Sequence, residues 1–312
     1  LLDYMAKIEA ITSQWREISA GDNLYVRKMH YEEKRMAGYS FWPTGGYHQM
    51  FQTLADAIEE NGGEIRKGTK VTDIIIENGR VQGVEIEVGE RATPIDIRQT
   101  EVIEAPVVIS TLPVWTVFNI IDEEKLPTWY ANKIKLMAND DDRTCWIGLH
   151  AASKEPIYVK TELELTNWLD YPKGFELGFS FLNSGYDAST APPGEHLFSA
   201  GVGFPAKNLK KRNWLRKHMP ILDKALEEMF PGLKNCLWKK YQLVFQETYA
   251  VIPRPGLVGE NRPDFEVPGI EGLLFASDTF KGRGIGIDRS ARSALTCVEK
   301  ILGKRIPEFG DS

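Results

Sequence analysis

The chain has 312 residues, of which 42% are hydrophobic, and it carries a formal charge of −6 at pH 7. This length suits about two domains of roughly 150 residues each, with a core that needs no disulfide bonds. The acidic balance disfavours a nucleic-acid-binding protein, because such a protein needs a basic face.

The cysteines and the longest apolar run exclude further classes of protein. Cys145, Cys236 and Cys297 lie far apart and form no CxxC or Cys/His cluster, so the sequence predicts no metal site and no disulfide framework. A reducing, cytoplasmic location is the expectation that follows. The longest apolar run, residues 107–121, is interrupted by polar residues and is shorter than the roughly 18 residues of a membrane span.

The first predicted element is an amphipathic helix over residues 1–19, ended by Gly21 and Asn23. The sequence starts without Met and inside this helical pattern. We therefore expect the chain to be the C-terminal portion of a longer protein.

A Gly-Gly turn opens a sharply patterned segment. Gly45 and Gly46 predict the turn because glycine tolerates positive φ, a helix follows over residues 47–60, and Asn61-Gly62-Gly63 ends it. Asn78-Gly79 predicts a hairpin turn. Strands are predicted over residues 64–65, 71–77, 81–88 and 95–103, and a fully apolar strand of a buried parallel sheet over residues 107–109.

The middle of the chain predicts an antiparallel sheet with helices across one face. Strands are expected over residues 145–150, 176–181, 196–201 and 237–245, and helices over residues 127–137 and 209–230. The basic run at residues 207–217 is typical of a solvated helix face, with contact to a membrane surface or an acidic partner as the alternative. Residues 201–206 match GxGxxA, but Pro205 lies in the turn, so we expect no nucleotide-binding fingerprint there.

The last predicted unit is a strand over residues 273–276, a Gly-rich loop, and a helix over residues 287–302 with an apolar face. Asp278 follows the strand at its carboxyl end, where α/β folds bind ligands. The positive N-terminus of the helix suits a phosphate or a heterocycle that carries partial negative charge. Lys281 and Arg283 flank the glycines and are either phosphate partners or solvated loop cations. A turn in which Asp278 only caps the helix is the alternative.

The sequence GIEGLLFASDTFKGRGIGIDRSARSALTCVEKIL at residues 269–302 resembles the C-terminal flavin motif of phytoene desaturases, carotenoid isomerase-like proteins and amine oxidases. The resemblance implies that Asp278 contacts the ribityl or phosphate region of FAD. It also implies that Gly284, Ile285 and Gly286 form the loop and helix start that face the flavin. Ser277 departs from the family pattern, which has glycine before the acid.

A second block, PTGGYHQMFQTLADAIEENGGEIRKGTKVTDIIIENGRVQGVEI at residues 43–86, resembles the middle segment of the same superfamily. There a strand pairs its backbone with the adenine end of FAD, and Val71 is the matching position. The resemblance implies an α+β (α/β) fold with a partial glutathione reductase-like FAD-binding domain. This domain would comprise residues 41–113 and 253–306, and a substrate domain with an antiparallel sheet and helices would comprise residues 1–40 and 114–252.

The implied activity is FAD-dependent desaturation, dehydrogenation or isomerisation of a small apolar, carotenoid-like substrate, with flavin amine oxidation as the alternative. An apolar substrate would suggest peripheral membrane contact. The family's N-terminal GxGxxG unit is not found, so we expect this chain alone to bind FAD weakly. A flavin-less binding or scaffold protein and an NAD(P)-linked reductase are the rival classes. No residue is assigned as a catalytic acid or base.

Overall fold

The computed structural model describes residues 17–32, 43–88, 99–139, 143–157, 166–169, 174–175, 178–244, 251–284 and 286–306. The chain divides into two compact units. The first unit comprises Leu1–Ile18, Arg27–Ile65 and Asp140–Ile252, and the second comprises Ser19–Val26, Arg66–Asn139 and Pro253–Ser312.

Helices and strands are numbered in chain order over these described ranges. The helices are α1 (Ala20–Glu32), α2 (His48–Glu60), α3 (Thr128–Met137), α4 (Asn183–Tyr186), α5 (Trp214–Met229) and α6 (Gly286–Leu302). The strands are β1 (Lys70–Glu77), β2 (Arg80–Val88), β3 (Gln99–Glu104), β4 (Val108–Ser110), β5 (Thr144–Ser153), β6 (Thr166–Leu169), β7 (Gly178–Leu182), β8 (His196–Pro205), β9 (Trp238–Val244) and β10 (Leu273–Phe275).

The predicted end of the first helix is wrong. Gly21 and Asn23 lie in the first turn of α1 rather than after a helix, and residues 1–16 lie outside the described part of the chain. The Ser19 side-chain oxygen accepts a hydrogen bond from the Asp22 backbone N–H (3.2 Å), which starts the helix at this point. Glycine is tolerated there because the first N–H groups of a helix have no partner within the helix.

The Gly-Gly turn and the helix after it are confirmed. Gly45 and Gly46 have φ of 80° and 90°, α2 begins at His48, and Gly62 leaves the helix with φ of 81°. The short strand predicted over residues 64–65 is wrong, because these residues form no strand.

The second unit contains a three-stranded antiparallel sheet in the order β1-β2-β3. Asn78 and Gly79 join β1 to β2 with φ of 51° and 73°, which confirms the predicted hairpin turn. The third strand begins at Gln99, and the preceding residues 95–98 of the prediction lie outside the described residues.

The second unit also contains a parallel pair of strands, β4 and β10, in which Leu273 pairs with Val108 and Phe275 with Ser110. The backbone N–H of Ala276 continues the pairing by donating to the Ser110 carbonyl (2.9 Å). The predicted parallel pairing is therefore confirmed, but the strand is not buried as predicted, because Val107 and Ile109 are 39% and 38% exposed. Because the strands are parallel, their carboxyl ends meet at the same edge.

The first unit contains the predicted antiparallel sheet, with strand order β6-β7-β8-β5-β9. Alternate residues of β5 and β8 form one buried face, against which α5 packs Trp214, Leu222 and Leu226. The GxGxxA sequence at residues 201–206 lies almost wholly inside β8, so it is not a phosphate-binding turn. A Cβ at Gly201 would lie 2.1 Å from the Trp146 ring, so this glycine makes room for the indole.

Helix α5 starts later than predicted. A short 3-10 helix (Ala206–Lys210) comes first, and Asn213, with φ of 60°, separates it from Trp214. The lysines and arginines of the basic run at residues 207–217 are exposed, as predicted for a solvated face. Over the described ranges, no helix has the length and apolar character needed to cross a membrane.

Helix α6 packs a different face from the one that its apolar pattern indicates. Its buried residues are Arg289, Ser293 and Cys297, which recur every four residues. The Cys297 thiol donates to the Phe275 carbonyl of β10 (3.4 Å), while Ile287 on the predicted apolar face is 58% exposed. The close approach of helix and strand selects small side chains, and one buried arginine lies among them.

Candidate functional site

The candidate site lies where the parallel strands β4 and β10 end in the second unit. Ser110 is the last residue of β4, and Ser277, Asp278 and Thr279 follow β10 as the chain turns into the Gly-rich loop. The Thr279 hydroxyl accepts a hydrogen bond from the Val114 backbone N–H (3.0 Å), so the segment after β4 is tied to the turn after β10. The two strand ends therefore form one polar edge.

Ser277 serves the turn in place of the glycine that the family pattern has. Its buried hydroxyl pairs with the Thr279 hydroxyl (2.7 Å) and accepts the Thr279 backbone N–H (3.2 Å). Phe280 is also fully buried and stacks on Phe275 with ring centroids 4.6 Å apart. The start of the loop is thus fixed by hydrogen bonds and by an aromatic stack.

Asp278 joins the strand end to the start of α6. Its Oδ2 accepts a hydrogen bond from the Gly286 backbone N–H (2.9 Å). Burial raises the pKa of the Asp278 carboxyl above its ordinary value of 3.8, and the Gly286 N–H, Arg262 and Arg289 partly offset this effect. Asp278 does cap the helix, as the alternative interpretation held, and this cap uses Oδ2. Asp278 can therefore cap the helix through Oδ2 and contact a ligand through Oδ1.

The glycines of the loop differ in the space beside them. Gly284 and Gly286 have φ of 86° and 71°, and a Cβ at either position would meet no atom within 4 Å. A Cβ at Gly282 would instead lie 2.3 Å from the Arg289 guanidinium. Ile285, the remaining predicted loop residue, lies outside the described residues. The open backbone at Gly284 and Gly286 is what close approach of a cofactor requires.

Two buried arginines of the site were missed by the sequence predictions. Arg262 is 1% exposed and Arg289 is 4% exposed. The Arg262 Nη1 donates to the Asp278 carbonyl (2.7 Å), and Arg289 lies over the Phe265 ring (5.4 Å). For Arg289 the four-residue spacing with Ser293 and Cys297 was a usable signal, whereas the sequence around Arg262 carries none.

The two cations considered from the sequence have protein partners. Lys281 pairs with Glu260 and Asp264 at 2.9 Å each, and these carboxylates raise its pKa. Arg283 pairs with the buried Asp22 of α1 (2.8 Å) and lies over the Tyr25 ring. Their side chains are 32% and 37% exposed, so both cations are partly solvated as well as paired, and a contact with phosphate stays a prediction.

Val71, the remaining predicted site residue, lies in β1, where it pairs with Ile86 of β2. It therefore belongs to a different sheet from β10, which precedes Asp278. The structure brings Asp278, Gly284 and Gly286 together and leaves Val71 as a separate prediction.

The residues around Asp278 fit a polar, anionic cofactor. Within the described part of the chain, Arg262 Nη2, Arg289 Nε and Ser110 Oγ are buried and have no hydrogen-bond partner. Buried polar atoms normally have partners. Two guanidinium donors, a hydroxyl, a carboxylate and a helix N-terminus match the phosphate and sugar groups of a dinucleotide.

Comparisons with known proteins point in the same direction. The family model described as flavin containing amine oxidoreductase matches residues 10–302. Chloroplastic prolycopene isomerase from Daucus carota is 23% identical over 287 residues, covering 83% of this chain and 44% of that protein. Its counterpart from Arabidopsis thaliana is 24% identical over 288 residues, covering 83% of this chain and 45% of that protein. This chain thus spans less than half the length of these curated relatives.

An oxidoreductase from Methanosarcina mazei has a similar solved structure, with a TM-score of 0.62 at 23% identity, covering 82% of this chain and 55% of that chain. At this identity the likeness concerns the fold alone. Together with the helices and sheets described above, it confirms the predicted α+β fold.

Proposed function

This chain belongs to the flavin-containing amine oxidoreductase family, and we propose that it provides the Asp278 side of an FAD site in an FAD-dependent oxidoreductase. The observation that carries the proposal is the position of Asp278. Its carboxylate follows a buried parallel strand and accepts the first N–H of α6, and at the same site Arg262 Nη2 and Arg289 Nε have no hydrogen-bond partner among the described residues.

Each part of the site has a distinct role toward FAD. The Asp278 carboxylate accepts hydrogen bonds from ribityl hydroxyls. The N-terminus of α6 and the buried Arg289 stabilise negative charge on the cofactor. Gly284 and Gly286 let the backbone approach closely. FAD, when bound, supplies the hydride acceptor, while the protein supplies position and electrostatics.

For the substrate, we favour an apolar, carotenoid-like molecule that is desaturated, dehydrogenated or isomerised. The carrot and Arabidopsis relatives are prolycopene isomerases, which supports this class. The first unit adds an aromatic cluster of buried Trp146 and half-buried Phe179 and Phe181, in which Phe179 lies 4.8 Å from both other rings. Aromatic rings suit contact with a conjugated hydrocarbon. Amine oxidation remains the alternative, because the family is named for it.

FAD titration of the chain tests the cofactor proposal. We expect weak but saturable binding, measured up to millimolar FAD, and Asp278→Ala should weaken it about tenfold or more, because a hydrogen bond to a charged group contributes about 1.5–3 kcal/mol. Asp122→Ala is the matched control, since this acid of the same unit is 81% exposed. No FAD binding by the wild type would favour a flavin-less scaffold, and binding of NADPH without FAD would favour a nicotinamide-linked reductase. Equal losses of FAD affinity in Asp278→Ala and Asp122→Ala would show that Asp278 makes no specific contact with FAD.

A second experiment tests the substrate class. FAD-reconstituted protein is incubated with prolycopene or with a primary amine, and carotenoid products and hydrogen peroxide are measured. A changed carotenoid supports the proposal. Peroxide formed only with the amine would replace it with amine oxidation.

A further inference from the structure

Arg262 is a fully buried cation that joins three backbone segments of the second unit. Its Nε donates to the Leu257 carbonyl (3.0 Å) and its Nη1 to the Asp278 carbonyl (2.7 Å). A longer contact of Nη1 reaches the Gly284 carbonyl (3.5 Å). One guanidinium therefore links the turn at residue 257, the end of β10 and the Gly-rich loop.

Among the described residues, the carboxylates that balance the positive charge of Arg262 lie beyond ion-pair distance. Across the described residues, no carboxylate oxygen lies within 4.0 Å of its nitrogens, although Asp22 of α1 and Asp278 both act on it electrostatically. Burial lowers the pKa of Arg262, yet arginine stays protonated in proteins. A buried cation without a close counter-ion is costly, and so its position requires a reason.

We propose that Arg262 is a positioning residue for the cofactor site, which holds the carbonyls around the Gly-rich loop and keeps the Asp278 carboxylate ionised. The inference rests on the proposed FAD site and goes beyond it, because Arg262 acts through Asp278. A clamp that needs only hydrogen bonds does not require a charge in this position, whereas a nearby cation favours the ionised form of a partly buried carboxylate such as that of Asp278.

The charged groups around Asp278 come from three elements. Arg262 lies in the segment before β10, Arg289 comes from α6 together with the Gly286 N–H, and Asp22 of α1 acts on Arg262. Without the charge of Arg262, Arg289 and backbone N–H groups remain to oppose the rise in the Asp278 pKa that burial causes. The Asp278 carboxyl should then take up a proton at a higher pH.

The test is the titration of the Asp278 carboxyl in the ligand-free chain, followed by carbon NMR after labelling aspartate, with the resonance assigned by its loss in Asp278→Asn. Arg262→Met and Arg262→Gln remove the charge, and Arg262→Lys keeps it while losing the forked geometry. Arg80→Met is the control, because Arg80 is an exposed arginine of the same unit that pairs with Glu271.

We expect both neutral variants to raise the titration midpoint of Asp278, while Arg262→Lys and Arg80→Met leave it unchanged. Unchanged midpoints in all variants, or equal shifts in the neutral and Lys variants, would overturn the proposal. If a neutral variant does not fold in buffer, the same comparison is made in trimethylamine N-oxide, which favours the folded state, and the same outcomes decide. The titration uses no flavin, so its result does not depend on whether the chain binds FAD. Failure of the Arg262 proposal can therefore be told apart from failure of the proposed FAD site.

Discussion

Gly282→Ala is expected to destabilise the second unit far more than the same change two residues later. Gly282 has φ of 128°, and a Cβ added there would lie 2.3 Å from the guanidinium of Arg289. Arg289 is buried, donates to the Phe280 carbonyl (3.4 Å) and lies over the Phe265 ring (5.4 Å). The arginine must therefore move and lose these contacts.

The magnitude follows from the two local environments. At Gly284 the positive φ costs an alanine about 1–2 kcal/mol, and at Gly282, whose φ of 128° lies farther from the left-handed helical region, it costs at least as much. At Gly282, displacement of Arg289 adds about 1–3 kcal/mol, from a cation–π contact and a weak hydrogen bond. At Gly284 a Cβ meets no atom within 4 Å, so this second contribution is absent. Both substitutions gain the same reduction in unfolded-chain entropy, which cancels in the comparison.

Thermal and urea unfolding of the two variants measure the difference. At about 2–4 °C per kcal/mol, Gly282→Ala should unfold roughly 2–12 °C below Gly284→Ala. Adding Arg289→Ala to Gly282→Ala removes the clash, so the two substitutions should be strongly non-additive. Equal losses at the two glycines, or strict additivity in the double variant, would refute the predicted contact between Gly282 and Arg289.

Three further predictions concern single side chains. Burial raises the pKa of Asp278 above 3.8, so the wild type loses stability as pH rises through that raised pKa. Asp278→Asn, which keeps a capping oxygen, should therefore gain urea stability relative to the wild type as pH rises from 3.8 through the raised pKa. Tyr130→Phe removes a buried hydrogen bond to the Asp264 carbonyl (2.6 Å) and should lower the free energy of unfolding by about 0.5–1.5 kcal/mol. Burial raises the pKa of Cys297 to about 11, so a disulfide reagent should label the half-exposed Cys236 first in the native protein.

For each of these three predictions, one result would contradict the reasoning. A stability difference for Asp278→Asn that stays constant with pH would mean that burial does not disfavour the carboxylate. Unchanged unfolding of Tyr130→Phe would mean that water replaces the lost bond. Native labelling of Cys297 as fast as that of Cys236 would contradict the packing of α6 on β10.

The sequence predicted those elements whose cause is local. Asn78-Gly79 identified the hairpin because few other residues adopt two successive positive φ angles. The strand and helix around Asp278 were predicted because their apolar patterns and glycines lie within one continuous segment. The first helix end was wrong, because Gly21 resembles a stop signal in isolation. Only the Ser19 cap shows that it lies in a first turn.

The sequence by itself therefore determined the hairpin at Asn78-Gly79, the strand that ends before Asp278, and Asp278 before a helix N-terminus. The tertiary structure alone decided which charges are buried at that site. Arg262 and Arg289 come together with Asp22 and Asp278 only after distant segments pack. The physical reason is that local patterning follows from neighbours along the chain, whereas the cost and balance of a buried charge depend on neighbours in space.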